Sequence, residues 1–289
     1  MTRRRATGIG FIAVLLWALL ALLTVGSAPV PPLQLNAICF AIGGGLGVIW
    51  AAASGGLGQL GQVPLRVYIF GTLGLFGYHA LYFSALRLAP AAEASLIAYL
   101  WPLLIVIFSG FLPGERLKLG HFLGAVISFG GAALLITGGS AGFQGDAVLG
   151  YGLAMLCALT WSGYSVLSRY LGSAPTQSVA IFCLASGALS LPLHLMLEVT
   201  QWPGDARGWA SVLLLGLGPV GLAFFVWDIG VKRGDIQLLG TASYAAPLFS
   251  TVILVLAGVA AFSANLVLAA ALIAGGAALA ARTSIKALH

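Results

Sequence analysis

Residues Pro90 to Arg116 read PAAEASLIAYLWPLLIVIFSGFLPGER. This is about twenty apolar residues, a length that crosses a bilayer, interrupted by Pro102 and closed by the turn Gly114-Glu115-Arg116. The ring of Pro102 removes its own N–H and crowds the carbonyl of Ala98, four residues back. In lipid that freed carbonyl must be satisfied by protein, a side chain or cavity water. A broken spanning helix therefore predicts an internal cavity. The same design returns 145 residues later, where Ile236 to Val259 carries Tyr244 and Pro247 at the spacing of Tyr99 and Pro102.

The rest of the chain has the composition this stretch implies. Of 289 residues, 60% are hydrophobic and 7% charged, against roughly 25% charged in soluble domains. Hydropathy divides the chain into about ten spans, near residues 7–26, 33–52, 66–86, 91–112, 118–138, 147–171, 177–197, 208–230, 237–259 and 264–281. The fold class is an all-α integral membrane protein with short loops and no soluble domain, so any substrate chemistry lies at membrane depth. Cys39, Cys157 and Cys183 fall inside spans without CxxC spacing and read as small core residues. No metal or cofactor is expected. The opening MTRRR resembles a signal peptide, but its apolar run continues to about Val25 without a clean small-x-small cleavage pattern, which predicts a retained first helix.

Charge gives the expected orientation. With the N-terminus in the cytoplasm, Arg3, Arg4, Arg5, Arg66, Arg116, Lys118, Arg169, Lys232, Arg233, Arg282 and Lys286 lie inside, eleven of the thirteen basic residues, leaving Arg87 and Arg207 outside. Under the positive-inside rule this predicts a multi-pass protein of the bacterial inner membrane with both termini cytoplasmic. Basic residues scattered over many loops argue against nucleic acid as a partner.

An internal repeat sets the architecture. Offsets of 144 to 145 residues align Gly8 with Gly152, Trp17 with Trp161, Gly71 with Gly216, Arg87 with Lys232, Tyr99 with Tyr244, Pro102 with Pro247 and Gly130-Gly131 with Gly275-Gly276. The halves, residues 1–145 and 146–289, hold five spans each. Because five is odd, the second copy enters the membrane in the opposite sense, an inverted repeat. Proteins so built bind substrate between the halves near the midplane and alternate access by rocking.

The run ALRLAPAAEASLIAYLWPLLIVIFSGFLPGERLKLGHFLGAVISFGGAALL, from Ala85, resembles the EamA-type branch of the drug/metabolite transporter superfamily: an Ala-rich apolar helix, a proline, a Gly-Glu-Arg turn and a Gly-rich helix. The resemblance covers both halves, but where the first has Gly114-Glu115-Arg116 the second reads Val259-Ala260-Ala261. Within the branch, Tyr99-Leu100-Trp101-Pro102 and the aromatic content are most similar to the aromatic amino-acid exporters. That resemblance implies an exporter of small neutral or zwitterionic metabolites, above all aromatic and other hydrophobic amino acids.

Candidate site residues follow from depth and spacing. Tyr78, His79 and Tyr82 share a face of the third span behind Gly71, Gly74 and Gly77, which admit a close neighbour. The bland alternative is an interfacial aromatic belt and a packing histidine, but His79 lies about thirteen residues into its span, beyond where a belt stops. Trp17 and Trp161 are repeat-matched and mid-span. Either they are large core residues or, with Tyr99, Trp101 and Tyr244, they line one cavity that stacks on rings and holds an ammonium by cation–π contact. Thr160, Tyr164 and Ser168 form a stripe in the sixth span that also suits helix packing. Pro102, Pro219 and Pro247 are the expected kinks.

Glu93 at the start of the fourth helix suits the helix dipole and is expected to meet Arg87, and Asp228 precedes Lys232 by four residues as an ordinary pair. Two non-transport readings stand beside transport. Gly163-Tyr164-Ser165-Val166 matches the loose pattern of intramembrane serine hydrolases, with His79 as its imagined base, and a membrane scaffold needs no cavity at all. Partners are then a small-molecule substrate and the lipid bilayer; the residues define no oligomeric state.

Overall fold

The computed structural model describes residues 1–171 and 174–285; Lys286 lies outside them. Among the described residues, ten helices are long and apolar enough to cross a membrane. They are α1 Arg3–Gly26, α2 Pro32–Ala53, α3 Leu65–Leu88, α4 Ala91–Ser109, α5 Leu119–Thr137, α6 Gly145–Tyr170, α7 Thr176–Leu197, α8 Ala206–Arg233, α9 Ile236–Leu256 and α10 Ala264–Ser284. Each expected span is present. Arg3, Glu115, Arg169, Asp235 and Ser284 meet at one end of the bundle, hereafter the basic face, while Arg87, His194 and Glu198 meet at the opposite face.

The halves interlock through helices that are repeat-related: α1 packs on α8, α6 on α3, α2 on α7 and α5 on α10. Between membrane helices there is no hydrophobic driving force, so association depends on close backbone approach at small residues. Gly10 and Gly230 bring α1 and α8 so near that a Cβ on Gly230 would fall 2.5 Å from Gly10 Cα. The repeat-equivalent seam of α3 and α6 buries Ala85 and Ala154. Likewise a Cβ on Gly124 of α5 would sit 2.6 Å from the Gly276 carbonyl oxygen of α10. Cys39, Cys157 and Cys183 are free and buried.

The kinks follow the sequence. In α4 helical geometry stops at Ala98 and restarts at Trp101, and in α9 it stops at Ala242 and restarts at Ala245. Each proline thus sits in the first turn of a new segment, where a missing N–H costs nothing. At Pro219 α8 widens into a π-helical turn, Gly218–Leu222. Helix α1 also breaks, between Trp17 and Leu20, with no proline involved. The Gly-Glu-Arg turn needs Gly114 at φ +79°, and Gly258, one position ahead of its repeat counterpart, makes the matching reversal at φ +71°.

Two expected ion pairs resolve differently. Asp228 and Lys232 pair at 2.9 Å, as the spacing predicts. Arg87 does not meet Glu93. It approaches Glu198 at 3.5 Å, and Glu93 instead accepts from the Gly142 N–H at 2.9 Å. Glu198 is the stronger attractor because its carboxylate already caps α2, accepting from Leu33 N and Gln34 N at 3.0 to 3.1 Å, and also bonds His194 Nδ1 at 3.0 Å. The exposed N–H groups of a helix start hold an anion there.

Candidate functional site

Four tryptophans converge at the centre of the bundle. Trp17 of α1, Trp101 of α4, Trp161 of α6 and Trp227 of α8 have ring centroids between 5.1 and 6.3 Å apart in every pairing. Two hydrogen bonds fix their orientation. The Trp17 indole N–H donates to the Pro219 carbonyl at 3.1 Å, satisfying a group in the widened turn of α8, and the Trp227 N–H donates to Ser165 Oγ at 3.1 Å. Trp101, Trp161 and Trp227 are buried, Trp17 less so.

The α3 residues adjoin this cluster. Tyr78 stands 5.4 Å from Trp161, Tyr82 stacks on Tyr78, and His79 meets Phe40 edge-on at 5.1 Å. Tyr164 packs on Trp161 at 5.3 Å, and its ring fills the space in front of Gly74. The His79 ring nitrogen Nδ1 lies 2.7 Å from the Leu75 carbonyl. A carbonyl only accepts, so Nδ1 carries the proton, and in the neutral ring Nε2 is left as an acceptor. Tyr82 shares a 2.9 Å hydroxyl bond with Ser95. Tyr78, His79, Tyr82, Tyr99 and Trp17 all keep accessible surface at mid-helix. Their phenol, imidazole and indole groups offer stacking surfaces with polar tips in one neighbourhood.

Not every candidate joins this group. Tyr244 is fully buried in a separate cluster with Phe129, Ala132 and Ile273, which Tyr99 borders. Its hydroxyl accepts from Leu103 N at 3.1 Å, the N–H that the broken turn at Tyr99 leaves without its usual partner. A tyrosine at one kink therefore satisfies the backbone of the other. Thr160 and Ser162 return their hydroxyls to carbonyls of their own helix.

Phe40, Phe224 and Trp227 belong to the cluster and were not singled out from the sequence. Phe224 stacks on Phe40 at 5.7 Å and reaches Trp161 at 5.7 Å. The repeat held the signal for two of them: Phe224 and Trp227 stand 145 residues after His79 and Tyr82.

The basic-face ends of α4 and α9 are sealed together. A Cβ on Gly240 of α9 would lie 3.0 Å from the Pro102 carbonyl oxygen, and the opposite-face halves, Ala91–Ala98 and Ala245–Leu256, share no comparable seam among the described residues. Beyond that seal lies an ion-pair knot. Glu115 bonds both Arg3, at 3.0 Å, and Arg169, which also donates to the carbonyls of Val231 and Gly234 at 3.1 and 2.7 Å. Arg3 reaches Asp235 at 3.6 Å. The knot joins α1, the turn after α4, α6, and the link between α8 and α9.

Known proteins resemble this chain in sequence and in fold. The EamA-like transporter family matches residues 5–137 and again 148–282. The chain is 53% identical to the aromatic amino acid exporter YddG of Ancylobacter novellus, over 97% of this chain and 98% of the relative. It is 26% identical to the exporter of the same name from Salmonella typhimurium, covering 87% and 88% of the two chains. A solved crystal structure, 52% identical, superposes with a TM-score of 0.92 and covers 96% of this chain and 98% of the other.

Proposed function

The chain belongs to the EamA-like transporter family, and from that premise we propose that it exports aromatic and other hydrophobic amino acids by alternating access. The observation that carries this reading is the aromatic group at the bundle centre, where four indoles pack together beside Tyr78, His79, Tyr82 and Tyr99, which keep accessible surface. A substrate ring stacks on the tryptophans, its ammonium lies over an aromatic face, and His79 Nε2 or a tyrosine hydroxyl accepts from that ammonium. Tyr164 and Tyr244 brace the walls. Substrate binding needs no cofactor.

The positive-inside rule makes the basic face cytoplasmic, with both termini there, in the bacterial inner membrane. On that reading the conformation described is sealed toward the cytoplasm by α4, α9 and the ion-pair knot, and opens outward between the halves of α4 and α9 that share no seam. The rocking units are residues 1–145 and 146–289, with Pro102, Pro219 and Pro247 as the places where helices bend. Hydrolysis by Ser165 is disfavoured because its hydroxyl is taken by Trp227 and shares no hydrogen bond with His79 among the described residues.

The test is transport by purified protein in liposomes, phenylalanine against alanine, for Trp101→Ala and Trp161→Ala. An aromatic contact is worth ~0.5–1.5 kcal/mol beyond area burial, so apparent affinity for phenylalanine should fall about threefold to tenfold while alanine changes little. An unchanged ratio in both variants refutes the site. Imposing a pH gradient, with His79→Gln alongside, separates facilitated movement from proton coupling: export that continues without the gradient supports the former.

A further inference from the structure

A cavity of about 1030 Å³ opens at the basic face, away from the aromatic site. Helices α1 and α10 flank it, the start of α9 forms its back, and the turn from Gly114 to Lys118 covers it. Its chemistry is divided by depth. Arg4, Arg116 and Lys118 stand around the mouth, and none of them has an ion-pair partner among the described residues. Deeper in, the lining is Phe11, Leu238 and Ala242. The carboxylates nearby, Glu115 and Asp235, are already engaged by Arg3 and Arg169, so the mouth keeps an uncompensated positive charge.

A second observation also calls for an acceptor. Gln237 lines the same cavity, is 2% exposed, and its Nε2 has no hydrogen-bond partner. A buried amide donor left unsatisfied is costly; Nε2 has almost no accessible surface in this conformation, and rotation of the side chain toward the cavity lets a ligand oxygen remove that cost. The occupant must therefore bring anionic oxygens to the mouth and apolar mass to the floor. Among the described residues α1 and α10 share no helix seam, so the cavity faces sideways into the lipid between them.

We propose that this cavity binds the headgroup and first acyl segments of an anionic phospholipid, its phosphate oxygens held by Arg4, Arg116 and Lys118 and one acceptor oxygen taken by Gln237 Nε2. Basic pockets between membrane helices on this side of a bilayer suit such headgroups. Arg3 belongs to both the cavity wall and the ion-pair knot, so a lipid seated here touches the same turn that seals the basic face. The site stands independently of the transported substrate.

Native mass spectrometry of the full-length protein in detergent, doped with phosphatidylglycerol or phosphatidylcholine, tests this. The wild type should retain phosphatidylglycerol preferentially. Arg4→Gln/Arg116→Gln/Lys118→Gln should lose that preference, at about fivefold per charge removed, and Arg66→Gln/Arg233→Gln, equally basic positions away from the cavity, should keep it. Gln237→Leu leaves the charges intact and should weaken retention by a smaller factor, which keeps the test open if the triple variant does not fold. Equal retention of both lipids by the wild type, or equal loss in the cavity and control variants, overturns the proposal. Competition by inorganic phosphate as strong as by the lipid would assign the site to a soluble anion instead and also overturn it.

Discussion

Helices α3 and α8 are the same element used twice, and they carry opposite chemistry. His79 and Tyr82 on α3 stand where α8 has Phe224 and Trp227. The first pair keeps accessible surface and polar tips, while the second is buried, at 4% and 1% exposure. The two faces differ in the same way. Glu115, Arg169 and Asp235 knot the basic face, and their repeat counterparts at the opposite face are Ala260, Val25 and Pro90. The charged group that does exist there, around Glu198, ties α2, α3 and α7 and not the ends of α4 and α9. Under the alternating-access proposal, backbone symmetry calls for two gates, and side chains make the two faces unequal. Closure of the basic face is ionic and apolar, whereas closure of the opposite face has no equivalent charges to draw on.

This inequality can be broken most severely at Glu115. Its side chain is 6% exposed and bridges two arginines. Removing one partner of a buried ion pair costs several kcal/mol, and Arg169 keeps two carbonyl partners, so Glu115→Gln should destabilise the closed basic face by about 3 kcal/mol. That shifts its equilibrium with the open form more than a hundredfold. A thiol reagent should then react faster with Val106→Cys, which is fully buried against Gly240 at the α4–α9 seal, in the Glu115→Gln background, and an unchanged rate would mean the knot does not hold the gate.

The symmetric seams sharpen the contrast, because there the two halves should behave alike. Gly124→Ala forces a methyl to within 2.6 Å of the Gly276 carbonyl oxygen, while Gly130→Ala meets nothing within 4 Å. Overpacking costs typically 1–3 kcal/mol, so Gly124→Ala should lower the thermal midpoint and Gly130→Ala leave it nearly unmoved, with Gly276→Ala matching Gly124→Ala.

A smaller effect distinguishes the two kinks. Tyr244→Phe strips the hydroxyl from Leu103 N and should cost about 1 kcal/mol. Tyr99→Phe removes no bond to Leu248 N among the described residues, and its cost in a denaturant titration should be smaller. Equal losses would mean the kinks are braced alike.

Most of this fold could be read from the sequence, because a bilayer reduces the folding problem to length, apolarity and repeat offset. The broken helices were legible too, since proline acts locally. Of the candidate site, Trp17, Trp101, Trp161, Tyr99 and the α3 face were legible, because tryptophan and histidine at mid-span are unusual. Trp227 was not, because it sits beside Asp228 near a basic helix end and reads as an interfacial residue until the 145-residue offset is applied to His79 and Tyr82. The knot was hidden for a different reason. Glu115 looked like part of a turn motif, and nothing local announces a partner at Arg169, 54 residues away. Arg87 was matched to the nearest acid along the chain, whereas the fold offered it a carboxylate already anchored by a helix start.

The indole cluster has an optical consequence. Of seven tryptophans in the chain, four lie with centroids no more than 6.3 Å apart, at interplanar angles from 22° to 89°. Chromophores this close and this steeply inclined share their excited states, which gives a near-ultraviolet circular dichroism signal sensitive to their mutual angles. Because the rings are carried by α1, α4, α6 and α8, drawn from both halves, any rocking of one half against the other re-angles them. Under the alternating-access proposal, the protein thus carries an unlabelled spectroscopic gauge of that motion.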